Sequence, residues 1–143
     1  MMVYYPSGIE RSTVTLASTP VIRVLCVDDQ PVVRHSLAMA LLAYDDMALV
    51  GEAPCGEDAV RLCATVSPDV VLMDIVMPGM GGVAATRAIH DRWPSIRILG
   101  LTSFVQPALF DEMRQAGAAK CLLKNGSGDE LMNAIREAYH APA

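Results

Sequence analysis

Residues 21–29 read VIRVLCVDD, a short apolar run that ends in two adjacent acids. Three further apolar runs, rich in Val, Ile and Leu, each end in one polar side chain. Runs this short and this rich in aliphatic residues are typical of buried strands in a parallel sheet. Ligands of open α/β sheets lie outside the carboxyl ends of the strands. The sequence therefore predicts one site at that edge, built from Asp28, Asp29, Asp74, Thr102 and Lys124.

From residue 21 onward, strand and helix patterns alternate five times. The predicted strands cover residues 21–27, 48–53, 69–73, 96–101 and 119–123. The predicted helices cover residues 31–44, 56–66, 83–92, 107–117 and the segment after residue 128. Pro31, at a position where helices favour proline, opens the first helix, whose predicted apolar stripe is Leu37, Leu41 and Leu42. This (βα)5 alternation predicts an α/β fold with helices on both faces of a parallel sheet.

The size and composition of the chain limit its class. Its 143 residues fit one domain, for which we predict a flexible lead-in at 1–20, a folded region at 21–140 and a tail at 141–143. Eleven basic against 16 acidic residues give a net charge of −5, which argues against direct binding of nucleic acid. No apolar run reaches the roughly 18–20 residues that cross a bilayer, and no secretory signal is recognisable. The four cysteines lack C-x-x-C spacing, so we expect a cytoplasmic protein without a membrane partner.

The three acids of the predicted edge indicate a metal site. If the first and third strands are neighbours, Asp74 comes close to Asp28 and Asp29. Three carboxylates repel one another unless a cation offsets their charge. One or two carboxylates, completed by water and a substrate phosphate, describe a Mg²⁺ site, whereas the His and Cys ligands of zinc are missing here.

The same edge suggests phosphoryl chemistry. A carboxylate beside Mg²⁺ can attack phosphorus and form an aspartyl phosphate. The transfer then depends on positioning and on neutralising the phosphoryl oxygens. We expect those oxygens to be held by Mg²⁺, by the compact ammonium of Lys124 and by the hydroxyl of Thr102.

Other functions remain open on the residues alone. The segment 79–84 matches G-x-G-x-x-A, which occurs in dinucleotide-binding folds, but it follows the third strand and a longer loop. A phosphatase-type enzyme would want a second acid two residues after Asp74, where Val76 stands. A fold that serves only as an interaction module, independent of phosphate, is a further alternative. Because all five polar residues of the predicted edge are present, they argue against these alternatives, and we expect a phosphoryl-accepting switch that is not an enzyme.

Four segments carry a family resemblance. VLCVDDQPVVR, VVLMDIVMPGMGG, ILGLTS and CLLK resemble the motifs of the response-regulator receiver domain of two-component signalling, and the resemblance covers residues 21–139. DDQPVVR and VGEAPCGEDAV are similar to the branch whose full-length members carry a LuxR/NarL-type DNA-binding domain. The resemblance implies a flavodoxin-like sheet with strand order 2-1-3-4-5 and a site at the switch between strands 1 and 3.

The resemblance also implies a role for each residue of the edge. Asp74 would be the phosphoacceptor, and Thr102 and Lys124 would contact the phosphoryl group and report its presence. Mg²⁺ would be bound by the carboxylates of Asp28 (often through water), Asp29 and Asp74, and by the backbone carbonyl of Val76.

The implied partners are a sensor histidine kinase and a second copy of the chain. The copy would dock through helix 4, strand 5 and helix 5, or through helices 1 and 5. Transcription would be controlled through an output domain outside these 143 residues.

Four positions depart from the family or tune its chemistry. Cys121 stands three residues before Lys124, where the family usually has an aromatic residue that moves inward during switching. Asn125 replaces a proline that often follows a cis bond, so we expect a trans bond here. Val76 and Phe104 flank the route of the attacking water in this family, and because both are apolar we predict slow self-dephosphorylation.

Overall fold

The computed structural model describes residues 20–142. Residues 1–19 of the predicted lead-in, and the last residue of the predicted tail, lie outside the described residues. No helix within residues 20–142 is long and apolar enough to span a bilayer.

Ten elements alternate along the described chain. The five strands are β1 (Ile22–Val27), β2 (Met47–Ala53), β3 (Val70–Asp74), β4 (Arg97–Thr102) and β5 (Lys120–Leu123). The five helices are α1 (Pro31–Leu42), α2 (Gly56–Val66), α3 (Gly82–Arg92), α4 (Pro107–Ala116) and α5 (Gly128–His140). Every predicted strand and helix is present, and no end differs from its predicted position by more than two residues.

The strands form one parallel sheet in the order β2-β1-β3-β4-β5. This order confirms the predicted flavodoxin-like topology. It places β3 between β1 and β4, so that the polar ends of three strands are adjacent. The chain reverses its direction across the sheet between β1 and β3, which is where ligands bind in folds of this type.

Two apolar layers sandwich the sheet, because successive strand residues point to opposite faces. In β1, Leu25 and Val27 join the core beneath α2, α3 and α4, whereas Val24 and Cys26 join the core beneath α1 and α5. In β3, all five residues are buried. The result is a rigid platform from which only the strand ends reach the site.

Two local devices fix where helices begin near that edge. Pro31 and Pro107 occupy the first helical positions of α1 and α4, where a missing N–H costs nothing. Gly82 begins α3 directly against the end of β3, and a Cβ there would lie 2.3 Å from the carbonyl oxygen of Asp74. Only glycine allows this approach, so the sequence at Gly82 sets the path of the loop that follows Asp74.

One sequence expectation was wrong. Leu37 and Leu41 pack against the core as predicted, but Leu42 is 78% exposed. At 3.6 residues per turn, Leu42 is rotated by about 140° from Leu37 around the helix axis, which carries it out of the buried stripe. The helix α1 therefore leaves three large apolar side chains exposed, Val32, Met39 and Leu42.

Candidate functional site

The ends of β1 and β3 bring the three predicted acids together. Asp28, Asp29 and Asp74 each offer a carboxylate oxygen, and these oxygens lie within 4.8 Å of one another. Asp28 and Asp74 are 1% and 3% exposed, whereas Asp29 faces solvent. The cluster thus has a buried floor and one accessible carboxylate.

The Asp28 side chain is tightly held on one oxygen and underused on the other. Its Oδ1 accepts a hydrogen bond of 2.9 Å from the backbone N–H of Gln30. Its Oδ2 forms an ion pair with Lys124, whose Nζ atom lies 2.6 Å away at angles outside normal hydrogen-bond geometry. A buried carboxylate oxygen in this position has capacity for a further ligand.

The Asp74 side chain lies deeper between charges. Its Oδ1 is 3.2 Å from the Nζ atom of Lys124 and accepts a hydrogen bond of 3.3 Å from the backbone N–H of Val76. Burial, followed by repulsion from Asp28, raises the pKa of Asp74 to about 6, against the opposing attraction of Lys124. The group is therefore poised to lose its proton just below neutral pH.

Lys124 ties the two buried acids to the far side of the site. Burial alone lowers the pKa of Lys124, but the carboxylates of Asp28 and Asp74 outweigh it and hold the pKa above its ordinary value. Its backbone N–H donates to the carbonyl oxygen of Thr102 at 2.7 Å, which fixes the end of β5 against the end of β4. The ammonium is thus charged and directed at the acids.

The other residues at this edge of the sheet are Thr102 and two apolar residues, Val76 and Phe104, which we call the rim. Thr102 is buried at the end of β4, paired in register with Leu123 of β5. Val76 and Phe104 follow the ends of β3 and β4, and they are 59% and 71% exposed. The structure places all five predicted side chains at one edge of the sheet, with these two apolar residues at its rim.

The position of the expected aromatic residue is filled differently. Cys121 is half-buried, and its Sγ lies 3.1 Å from the point where a Cβ on Gly100 would stand. The same point is 3.0 Å from the Cε of Met113 in α4. The thiol of Cys121 and the thioether side chain of Met113 therefore both pack beside Gly100. The bond between Lys124 and Asn125 is trans, as expected.

Two residues at the site were missed by the sequence argument. Arg34 donates from Nη1 to the backbone carbonyl of Asp28 at 2.6 Å. Glu57, in the first turn of α2, accepts from the backbone N–H of Met80 at 3.0 Å and so holds the loop after β3. The signal for Arg34 was its place in the first turn after Pro31, directly following the acids. Glu57 is 23 residues from its partner and carried no such signal.

The donor set is suited to a hard divalent cation. All side-chain donors of the cluster are carboxylate oxygens, which Mg²⁺ and Ca²⁺ prefer. The free capacity of the Asp28 Oδ2 atom and the accessible carboxylate of Asp29 leave room for such an ion. The acidic cluster could therefore hold a metal.

The glycine-rich segment at 79–84 is explained by chain geometry. Gly79 has a positive φ of 72°, which glycine adopts without strain. Gly82 meets the backbone of Asp74, as described above, and Gly81 precedes it as the N-cap of α3. The glycines thus shape the loop after β3.

Comparison with known proteins agrees with this geometry. A family model described as "Response regulator receiver domain" matches residues 24–136. Response regulator UvrY of Escherichia coli (strain K12) is 44% identical over 118 residues, which are 82% of this chain and 54% of UvrY. Transcriptional regulatory protein LiaR of Bacillus subtilis (strain 168) is 44% identical over 117 residues, 82% of this chain and 56% of LiaR. The chain thus spans about half the length of these curated relatives.

A solved structure extends the agreement to three dimensions. The signal receiver domain of NarL from Mycobacterium tuberculosis superposes with a TM-score of 0.82 at 32% identity, covering 86% of this chain and 99% of that one. The sequence match, the strand order and the acidic edge agree with one another. The chain belongs to the response regulator receiver domain family of two-component signalling.

Proposed function

We propose that this chain accepts a phosphoryl group on Asp74 from a sensor histidine kinase and acts as a switch in a signalling pathway. One observation carries the proposal. The buried carboxylate of Asp74 lies 3.2 Å from the ammonium of Lys124 and within 4.8 Å of two further acids. This arrangement resembles a reaction centre more than a stabilising ion pair, because a single lysine faces an excess of carboxylates.

The reaction forms one bond and breaks one. A carboxylate oxygen of Asp74 attacks the phosphorus of a phosphohistidine, a P–O bond forms and the P–N bond breaks. The electron pair of the broken bond returns to the ring nitrogen, and the ring leaves as neutral imidazole when its other nitrogen carries a proton. With its pKa at about 6, Asp74 is mostly ionised at neutral pH and has the lone pair that the attack needs.

The neighbouring side chains position the transferred group. The ammonium of Lys124 pairs with one phosphoryl oxygen, and the hydroxyl of Thr102 donates to another. Bound Mg²⁺ would supply positive charge to the remaining oxygen, and its ligands would be the groups already implied, Asp28, Asp29, Asp74 and the carbonyl of Val76. Val76 and Phe104 border the site and limit the approach of water.

The added charge then shifts an equilibrium between two surface states. In this proposal the chain is a switch rather than an enzyme, acts in the cytoplasm and controls transcription through an output domain, as the relatives named as regulators suggest. A second copy of the chain docks through α1 and α5 or through α4, β5 and α5. The exposed Val32, Met39 and Leu42 of α1 support the first surface.

One observation favours a second candidate, a receiver that acts without phosphate. Cys121 takes the position of the aromatic residue that reports phosphorylation in the resembling family, and it is packed beside Gly100 and Met113. A receiver that kept the acidic edge of the sheet but lost the residue that reports phosphorylation would serve as an interaction module.

Intact-protein mass spectrometry after incubation with acetyl phosphate and Mg²⁺ separates the two candidates. We expect the wild type to gain one phosphoryl group and Asp74→Ala to gain none. Asp91→Ala, which removes an exposed acid in the last turn of α3, is the matched control and should behave as the wild type. A folded wild-type protein that gains no phosphoryl group would favour the interaction module.

A further inference from the structure

We propose that Arg34 is a positioning residue of the metal site, and that Glu52 holds it in place. The guanidinium fixes the peptide group between Asp28 and Asp29, so that the two acids are preset for a divalent cation. This inference rests on the proposed function, because it concerns the same Mg²⁺ site.

The first support is the number of anchors on Asp28. Its Oδ1 is held by the N–H of Gln30 at 2.9 Å, and its Oδ2 is paired with Lys124 at 2.6 Å. Its backbone carbonyl is held by Arg34 Nη1 at 2.6 Å. The first two anchors fix the side chain, and among the bonds described within residues 20–142 only the third acts on the peptide that leads to Asp29.

The second support is that Asp29 depends on that peptide. Asp29 is exposed, and none of the hydrogen bonds or ion pairs described within residues 20–142 involves its side chain. Its carboxylate nevertheless belongs to the cluster within 4.8 Å. The backbone that carries Asp29 must therefore set its position, and the bond from Arg34 acts on that backbone.

The third support is how Arg34 itself is held. The Arg34 side chain is only 17% exposed, and its Nε lies 3.4 Å from the Oε1 of Glu52. Glu52 lies in β2, in register with Cys26 of β1. The planar fork of arginine can bond two acceptors at once in fixed directions, which lysine cannot do. The pair thus links α1, the end of β1 and the edge strand β2.

The charge of Arg34 contributes in the same direction. Lys124 is paired with two of the three acids, so the cluster keeps an excess of negative charge. A guanidinium bonded to the Asp28 carbonyl lowers the repulsion between the acids, although Glu52 offsets part of its charge. It does so without occupying a carboxylate oxygen, which stays available for the cation. Arg34 therefore lowers the cost of keeping the acids together while leaving their ligand atoms free.

Isothermal titration with MgCl₂ tests the inference directly. Replacing groups that orient metal ligands typically weakens metal binding by about 10–100-fold. We expect Arg34→Gln to raise the Kd for Mg²⁺ by about tenfold, and Glu52→Gln to raise it by less. Arg34→Lys keeps the charge but loses the fork, so its Kd should lie between those of the wild type and Arg34→Gln. Arg61→Gln, which removes an exposed arginine paired with Asp58 on α2, is the matched control and should leave the Kd unchanged.

A second readout separates positioning from general stability. If the role of Arg34 is purely structural, Arg34→Gln should lower the melting temperature equally with and without Mg²⁺. If Arg34 positions the metal site, Arg34→Gln should reduce the rise in melting temperature that Mg²⁺ produces. Saturating Mg²⁺ should then restore phosphorylation of Asp74 by acetyl phosphate in this variant. If Arg34→Gln fails to fold, Glu52→Gln provides the same comparison.

The outcomes distinguish this inference from the proposed function. Wild-type protein that binds Mg²⁺ and is phosphorylated, beside folded variants with unchanged Kd, would overturn the role of Arg34 alone. Wild-type protein that binds no Mg²⁺ would overturn the metal site and this inference with it. Weaker binding by Arg34→Gln and Glu52→Gln, with an unaffected Arg61→Gln, would support the inference.

Discussion

Two parts of strand β3 differ sharply in chemistry although both are buried. Val70 to Met73 are apolar and 0% exposed, whereas Asp74, which ends the strand, is a carboxylate that is 3% exposed. Burial of the first four side chains stabilises the fold in proportion to the apolar area removed from water. Burial of Asp74 opposes ionisation and raises its pKa to about 6. The strand body thus contributes stability, and the strand end provides a group suited to chemistry.

The largest expected effect lies in the strand body. Leu72 is 0% exposed and packs in the cluster beneath α1 and α5. Leu72→Ala should lower the free energy of unfolding by about 2–5 kcal/mol, through lost apolar contact and the cavity left behind. Urea unfolding measures it. Leu42→Ala, at the exposed position on α1, is the control and should stay within about 0.5 kcal/mol of the wild type. Equal losses from the two variants would contradict the stabilising role assigned to the buried body of β3.

The next effect is a gain in the free energy of unfolding, expected when Asp74 at the strand end is replaced. Because the pKa of Asp74 rises from 3.8 to about 6 on folding, the native state binds more protons than the unfolded state between these values. The contribution of Asp74 to the stability of the folded state therefore falls as pH rises through this window and stays low above it. Asp74→Asn should raise the free energy of unfolding by about 1–2 kcal/mol at pH 7.5.

The pH dependence is the decisive part of that measurement. Asp74→Asn should gain little over the wild type near pH 3, where Asp74 is mostly protonated in both states, and the gain should develop as pH rises from 3.8 to about 6. Thermal unfolding across this range follows it. Asp91→Asn, on an exposed acid, is the control and should show no such profile. A gain for Asp74→Asn that does not change with pH would show that repulsion and desolvation of Asp74 are not its cause.

Mg²⁺ should offset part of the loss in stability that the clustered acids cause. A ligand that binds only the folded state stabilises it by about 1.4 kcal/mol at ten times its Kd. We expect Mg²⁺ to raise the melting temperature of the wild type, because it offsets the repulsion among the acids, and Asp29→Ala to abolish the rise. Differential scanning fluorimetry with MgCl₂ measures this, with NaCl at equal ionic strength as control. A mutant that responds as the wild type does would rule out Asp29 as a ligand.

The body of the fold was predictable because its signals are local. Short apolar runs mark the strands, and Pro31 and Pro107 mark the starts of two helices. The one packing error, Leu42, came from extending a stripe by a residue that the helical turn carries outward. Within β3, the sequence shows both the apolar body and the acid that ends it.

The site was predictable only as far as residue types allow. Acids, a hydroxyl and a lysine at strand ends show in the sequence, and the topology then brings them together. Arg34 and Glu57 were not predicted, because each bonds a backbone group, and the sequence does not show which backbone group a side chain reaches. Such contacts appear only once the loops are placed in space.

The smallest expected effect concerns the rim of the strand end. Val76 and Phe104, which follow the ends of β3 and β4, are exposed apolar side chains, and we expect them to disfavour an ordered water near the acyl phosphate. After phosphorylation with acetyl phosphate and its removal, loss of phosphate from Val76→Asn should be faster than from the wild type, by less than about tenfold, or about 1.4 kcal/mol in activation free energy. Val76→Ala separates two causes. Faster loss from both variants would assign the effect to lost apolar cover, whereas faster loss from Asn alone would assign it to the amide, which can hold the attacking water. Equal rates in all three proteins would show that Val76 does not control the lifetime of the phosphorylated state.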